Sequence, residues 1–135
     1  MSERPVPQVE NKGGVIAYLS VDGALKAAGL YGKALGAQLA ASHPPDPKGR
    51  TMHVHLYING SSVMLSDFFP EHGHAVEAPA GFTMQLIVDD AQAWFDRAVA
   101  AGFEAVTPVQ KMFWGDTWGQ TRDPFGVIWA FNQPA

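Results

Sequence analysis

The stretch FTMQLIVDDAQAWFDRAVAAG, residues 82–102, repeats in outline the stretch VIAYLSVDGALKAAGLYGKALG, residues 15–36. In the earlier one, Val15 to Val21 is apolar and strand-like, Asp22 offers a helix N-cap, and Ala27, Leu30, Tyr31 and Leu35 recur on one helical face before Gly36. In the later one, Phe82 to Val88 is strand-like, Asp89 and Asp90 offer the cap, and Ala91, Phe95, Ala98 and Val99 form the stripe before Gly102. The two aspartates are 67 residues apart and the two stop glycines 66. A unit stated twice at this period is a duplicated supersecondary motif, because a solenoid needs at least three copies. Helices are expected at about Gly23 to Leu35 and Ala91 to Ala101.

The correspondence continues beyond the helices. Ala37 to Ser42 and Phe103 to Val109 read as strands, and each precedes a strand pair. In the first half the pair is His53 to Ile58 with Val63 to Ser66, joined through Asn59-Gly60; in the second it is Trp118 to Arg122 with Val127 to Phe131, joined through Asp123-Pro124-Phe125-Gly126. Asn-Gly between alternating runs is a strong hairpin signal, and a Pro-Phe-Gly turn is nearly as good. Each half is then β-α-β-β-β, with its first strand pairing with its last. The expected class is α+β, two βαβββ modules in tandem forming a curled mixed sheet around a cleft. We place a flexible tail at residues 1–12 and a single domain at 13–135, with modules at about 14–67 and 81–132 joined by a loop, 68–80. Neither half covers both faces of its own sheet, so the loop is not a domain linker.

Composition narrows the function. At 135 residues, with 47% hydrophobic and 16% charged residues, the chain can bury a core, and neither disorder nor low complexity describes it. Nine Lys and Arg against 13 Asp and Glu give a net charge of −4, which argues against nucleic acid and anionic membranes as partners. There is no cysteine, so disulfides, thiol nucleophiles, zinc ribbons and iron–sulfur clusters are excluded, and any metal must be held by His, Asp or Glu. The segment Met1 to Lys12 is polar and carries no apolar signal-peptide core, and no apolar run is long enough for a membrane span. A cytoplasmic protein is the default expectation. There is also no Gly-x-Ser-x-Gly and no phosphate-binding glycine loop.

Taken together, Tyr18-Leu19-x-Val21-Asp22, Leu30-Tyr31 leading to Leu35-Gly36-Ala37, Met52-His53, Val63 to Asp67, Val88-Asp89-Asp90 leading to Ala101-Gly102, and Phe113-Trp114-Gly115-Asp116-x-Trp118-Gly119 leading to Asp123-Pro124-Phe125-Gly126 and Trp129 form an ordered set. In that order and spacing the chain resembles the vicinal oxygen chelate superfamily of glyoxalases, bleomycin-resistance proteins and extradiol dioxygenases, and within it the PhnB-like branch. The resemblance covers about Gly14 to Phe131. It implies a paired-module fold with a cleft, and metal ligands on the first and last strands of the modules. Carried onto this chain, those ligand positions fall on Ile16, Thr83 and Ala130, with a fourth near Met64 or Ser66. An aliphatic, a neutral hydroxyl and a methyl are not ligands for a divalent cation, so no metal cofactor is expected there.

Strand alternation identifies the lining of the cleft. With Ile16 and Thr83 facing inward, Tyr18, Ser20 and Gln85 join them, Ile128 lies beside Ala130, and Leu19, Val21, Phe82, Met84, Leu86 and Val88 face the helices. His53 and His55 share a strand face, the start of an alternative, displaced metal site if Glu71, His72, His74 or Glu77 of the loop joined them; otherwise they are histidines packed on a sheet with Tyr57. Trp114 and Trp118, in a glycine-flanked aromatic segment, suit a ligand-binding cleft or an interface. Trp94 reads as a surface or interface residue, and Asp116 as a partner for Arg122 or a loop cap. The expected ligand-binding cleft is therefore Tyr18, His53, His55, Gln85, Trp114 and Trp118. These residues suit two main function classes. One is a homodimer that binds a small, partly hydrophobic or aromatic molecule without a metal, in a cleft that a second subunit could complete; the other is a metal-dependent lyase, isomerase or dioxygenase acting through His53 and His55. A purely structural or regulatory dimer is a third.

Overall fold

The computed structural model describes residues 9–135, so the first eight residues of the expected tail lie outside the described residues. Its last part is held: Lys12 exchanges hydrogen bonds with Ser62, and the Glu10 carbonyl accepts one from the Tyr57 hydroxyl. The elements run in the order expected, β1 (Ala17–Ser20), α1 (Ala24–Leu35), β2 (Gln38–Ser42), β3 (Val54–Ile58), β4 (Ser61–Ser66), β5 (Met84–Ile87), α2 (Ala91–Ala100), β6 (Glu104–Lys111), β7 (Thr117–Arg122) and β8 (Ile128–Gln133). Each module forms its own four-stranded mixed sheet, ordered β1-β4-β3-β2 and β5-β8-β7-β6. In both, the first strand runs parallel to the last and the remaining neighbours are antiparallel. The fold is α+β, two tandem modules, and the β3–β4 turn has Asn59 and Gly60 both at positive φ, 50° and 81°, the backbone that an Asn-Gly hairpin requires.

Alternation decides which faces are buried. Leu19, Val21, Leu65, Leu86, Val88, Trp129 and Phe131 lie on the helix side and are almost inaccessible. Against them α1 packs Ala24, Ala27, Tyr31, Ala34 and Leu35, and α2 packs Ala91, Phe95 and Ala98, all in one continuous core to which both modules contribute. Fully burying a side chain of Leu or Val size contributes about 1.5–3 kcal/mol, so this shared core is what joins the halves. Tyr31 crosses between them, its ring edge-on to Trp129 at 5.2 Å and to Phe103 and Phe125 at 6.2 and 6.4 Å.

Several expectations are corrected. Asp22 does not cap α1: the N-cap is Gly23, and the carboxylate that accepts from the Gly23 and Ala24 N–H groups belongs to Asp67, at 2.7 and 3.2 Å. The parallel pairing of β1 with β4 delivers the end of β4 to the start of the helix. Asp90 does cap α2, accepting from Ala93 N–H, and Gln133 at the end of β8 accepts from Ala91 N–H as the pseudo-equivalent of Asp67. Phe82 precedes β5 and is 43% exposed rather than packed on a helix. Trp94 is partly buried, with its ring 6.2 Å from Phe131.

One glycine is required by close approach. A Cβ on Gly119 of β7 would stand 2.5 Å from Val109 Cγ2 and 3.1 Å from the Val109 backbone, where β6 runs irregularly past β7. Gly119→Ala is expected to cost about 1–3 kcal/mol by overpacking, read as a lowered urea midpoint; an unchanged midpoint would show that β6 yields freely.

Candidate functional site

The sheet faces turned away from the helices carry the expected site residues, and they form two groups, one per sheet. On the first sheet, Tyr18 of β1 stands against His53, which precedes β3: the rings are 5.8 Å apart, and the Tyr18 hydroxyl is 3.0 Å from His53 Nδ1 and donates to the Met52 carbonyl at 2.9 Å. The rings continue from His53 to His55 (6.4 Å) and on to Tyr57 (5.1 Å), with His43 at 5.4 Å from His53. The band arises from the period of two along His53, His55 and Tyr57. Lys12 Nζ lies 4.3 Å over the Tyr57 ring. Desolvation, with His43 and His55 nearby, holds the His53 imidazole below its ordinary pKa, and burial raises the Tyr18 phenol. Both groups are therefore neutral near pH 7.

On the second sheet, the Trp118 indole N–H donates to Gln85 Oε1 at 3.0 Å, and Trp114 stands edge-on to Trp118 at 6.3 Å with Phe113 beyond it at 5.0 Å. Trp114 is 47% exposed and Phe113 96%, so the aromatic segment presents ring faces to solvent. Asp116 does not pair with Arg122. It accepts from Asn132 Nδ2 and the Ala135 N–H, and these bonds, the Asn132 one foremost, lower its pKa and anchor the loop to the chain end. The structure thus joins Tyr18, His53 and His55 on one sheet and Gln85, Trp114 and Trp118 on the other.

Two hollows open beside the end of β1, the smaller of them against Tyr18. One of about 540 Å³ is lined by Tyr18, Ser20, Phe68, His74 and Phe82; another of about 840 Å³ opens between the start of α1 and the β7–β8 turn. The hydrogen bond between Ser20 Oγ and His74 Nε2, 2.8 Å, and that between Ser62 Oγ and His55 Nε2, 2.7 Å, went unforeseen. Only Ser62 carried a signal, its place on the same face of β4 as Met64.

The metal implied by the resemblance does not fit these residues. Ala130 is fully buried and presents a methyl, Ile16 an aliphatic chain, and Thr83 an exposed hydroxyl. The displaced alternative is no better supplied. Glu71, well below the usual carboxylate pKa at about 2 because Arg50 bonds it, is held in that ion pair at 2.6 Å, and His74 is taken by Ser20. Among the described residues no three His, Asp or Glu side chains converge as a ligand set.

Known proteins share this architecture. The model of the Glyoxalase/Bleomycin resistance protein/Dioxygenase superfamily matches residues 15–131. The uncharacterized protein Mb0911c of Mycobacterium bovis is 38% identical over 123 residues, 87% of this chain and 80% of that protein. Among solved structures, protein PA1353 from Pseudomonas aeruginosa is similar with a TM-score of 0.72 and 29% identity over 89% of this chain and 96% of its own. TnmS3, an antibiotic binding protein from Streptomyces sp. CB03234, shares the fold with a TM-score of 0.65 at 23% identity, covering 98% of this chain and all of its own.

Proposed function

Since the chain belongs to the Glyoxalase/Bleomycin resistance protein/Dioxygenase superfamily, we propose that it binds a small, partly aromatic molecule between its two kinds of sheet face, without the superfamily's usual metal and as a homodimer. The observation that carries the reading is the Trp114–Trp118–Gln85 arrangement. The Trp118 N–H is already satisfied by Gln85, so what the shelf has left to offer a ligand is flat apolar ring area. Shared fold alone does not assign a ligand, but TnmS3, which has this fold, is an antibiotic binding protein. The order of the Phe113 to Gly119 segment supports a place in the PhnB-like branch.

The dimer is supported by where the two groups lie. Both sheets turn their helix sides into one core, so the opposite faces of a single chain point away from that core, and they leave Tyr18 52%, Ile87 57% and Trp114 47% exposed. A second copy that sets its second sheet against the first sheet of its partner would close a cleft with both groups in it. Light scattering should give twice the 14.5 kDa chain mass; a monomer at micromolar concentration would overturn this part.

For the ligand, tryptophan fluorescence is expected to quench on titration with 2-methoxynaphthalene, a neutral aromatic probe, and Trp114→Ala to weaken binding roughly three- to tenfold. Absence of any response would sink the binding reading. Stoichiometric metal surviving dialysis against a chelator, and lost in the His53→Ala, His55→Ala double variant, would replace it with the metal-dependent enzyme.

A further inference from the structure

The Tyr18 hydroxyl carries a single hydrogen, and it has two neighbours within bonding distance, the Met52 carbonyl at 2.9 Å and His53 Nδ1 at 3.0 Å. A carbonyl only accepts, so for both contacts to be hydrogen bonds at once the phenol hydrogen goes to Met52 and an Nδ1–H of His53 donates to the phenol oxygen. A neutral imidazole with its proton on Nδ1 has a bare lone pair on Nε2. Among the described residues nothing bonds that nitrogen, and no buried side-chain nitrogen or oxygen lacks a partner, so Nε2 is accessible rather than sealed in the interior. His55 differs in that its Nε2 is engaged, sharing a hydrogen bond of 2.7 Å with the Ser62 hydroxyl, which also accepts from the Lys12 N–H, so that nitrogen is not free for a ligand.

We propose that His53 Nε2 is a ligand-recognising hydrogen-bond acceptor, fixed in that state by Tyr18 and Met52, and that the site therefore prefers aromatic molecules bearing a hydroxyl over their ethers. The inference rests on the small-molecule reading above and names its ligand class. A phenol fits on two counts: its O–H has an acceptor waiting, and its ring can lie against Tyr18 and His43, the exposed rings beside His53. A carboxylate has no hydrogen to offer and would face a lone pair. Tyr18 is a positioning residue, acting through the tautomer of His53.

The test pairs 2-naphthol with 2-methoxynaphthalene in calorimetric titrations of the full chain, together with ¹⁵N-resolved histidine spectra. The wild type should show His53 protonated on Nδ1 and should bind 2-naphthol about three- to tenfold more tightly than the ether, the worth of one ordinary hydrogen bond. His53→Phe should bring the two affinities together, losing the preference whatever it does to ether binding itself. Tyr18→Phe should shift the His53 proton toward Nε2 and shrink the preference, a change that a merely structural role would not produce. Equal binding of both probes to the wild type, a preference that survives His53→Phe, or a proton on Nε2 in the wild type would overturn this inference alone. Failure of both probes to bind would overturn it together with the small-molecule reading.

Discussion

Asp123→Ala is expected to lower stability by about 3–5 kcal/mol, since loss of a buried network belongs with the large single-residue effects, and the melting temperature by roughly 10–20 °C for a chain of this size. Asp123 is 3% exposed and sits at the β7–β8 turn. One carboxylate oxygen accepts from the Phe125 and Val127 N–H groups at 2.8 and 3.0 Å, shaping the turn that begins at Asp123-Pro124. The other accepts from Trp129 Nε1 at 2.9 Å and from the Tyr31 hydroxyl, which reaches it from α1 in the other module. Burial, with the carboxylate beside it, pushes the Tyr31 phenol far up, so it remains a donor across the working pH range. Truncation would strand an indole N–H, a phenol and two amides in the core at once. Tyr31→Phe removes a single partner and should cost about 1–2 kcal/mol. Urea unfolding of both variants decides the matter: if Asp123→Ala costs no more than Tyr31→Phe, the carboxylate is not what joins the turn to the helix.

Asp67→Ala should cost about 2–4 kcal/mol, the second-largest effect expected. Its side chain is 3% exposed and accepts three backbone N–H groups, those of Gly23 and Ala24 on one oxygen and that of Thr51 on the other, at 2.9 Å for the last. It therefore starts α1 and also fastens the chain entering β3. Asp67→Asn keeps one acceptor but turns an NH₂ donor toward an N–H, so it should recover only part of the loss. Circular dichroism with urea denaturation measures both; full stability in Asp67→Asn would show that only one of the two attachments matters.

The repeat of strand, stripe and glycine made the module architecture readable along the chain, because hydrophobic period is a local property that a sheet or helix displays residue by residue. Helix limits fell within a residue of Ala24–Leu35 and Ala91–Ala100. Alternation likewise put Tyr18 and Gln85 on the inward faces of their strands and His53 with His55 on one face, and in the structure Tyr18 stands against His53 and Gln85 against Trp118. The carboxylate at the start of α1 is not legible locally: Asp22 lies beside the helix in sequence, whereas Asp67, 44 residues from Gly23, reaches it only through the pairing of β1 with β4.

By itself, then, the amino-acid sequence determined two βαβββ modules and the residue types on each sheet face, both of which depend on neighbours a few positions apart. Tertiary structure alone decided that the two modules share one core through Tyr31 and Asp123, that the site residues divide into two groups on separate sheets, and that the Tyr18 hydroxyl reaches both Met52 and His53. Those outcomes rest on hydrogen-bond partners 34 to 92 residues apart. Such partners have no signature in local periodicity, since a single hydrogen can be assigned only when every acceptor around it is in place.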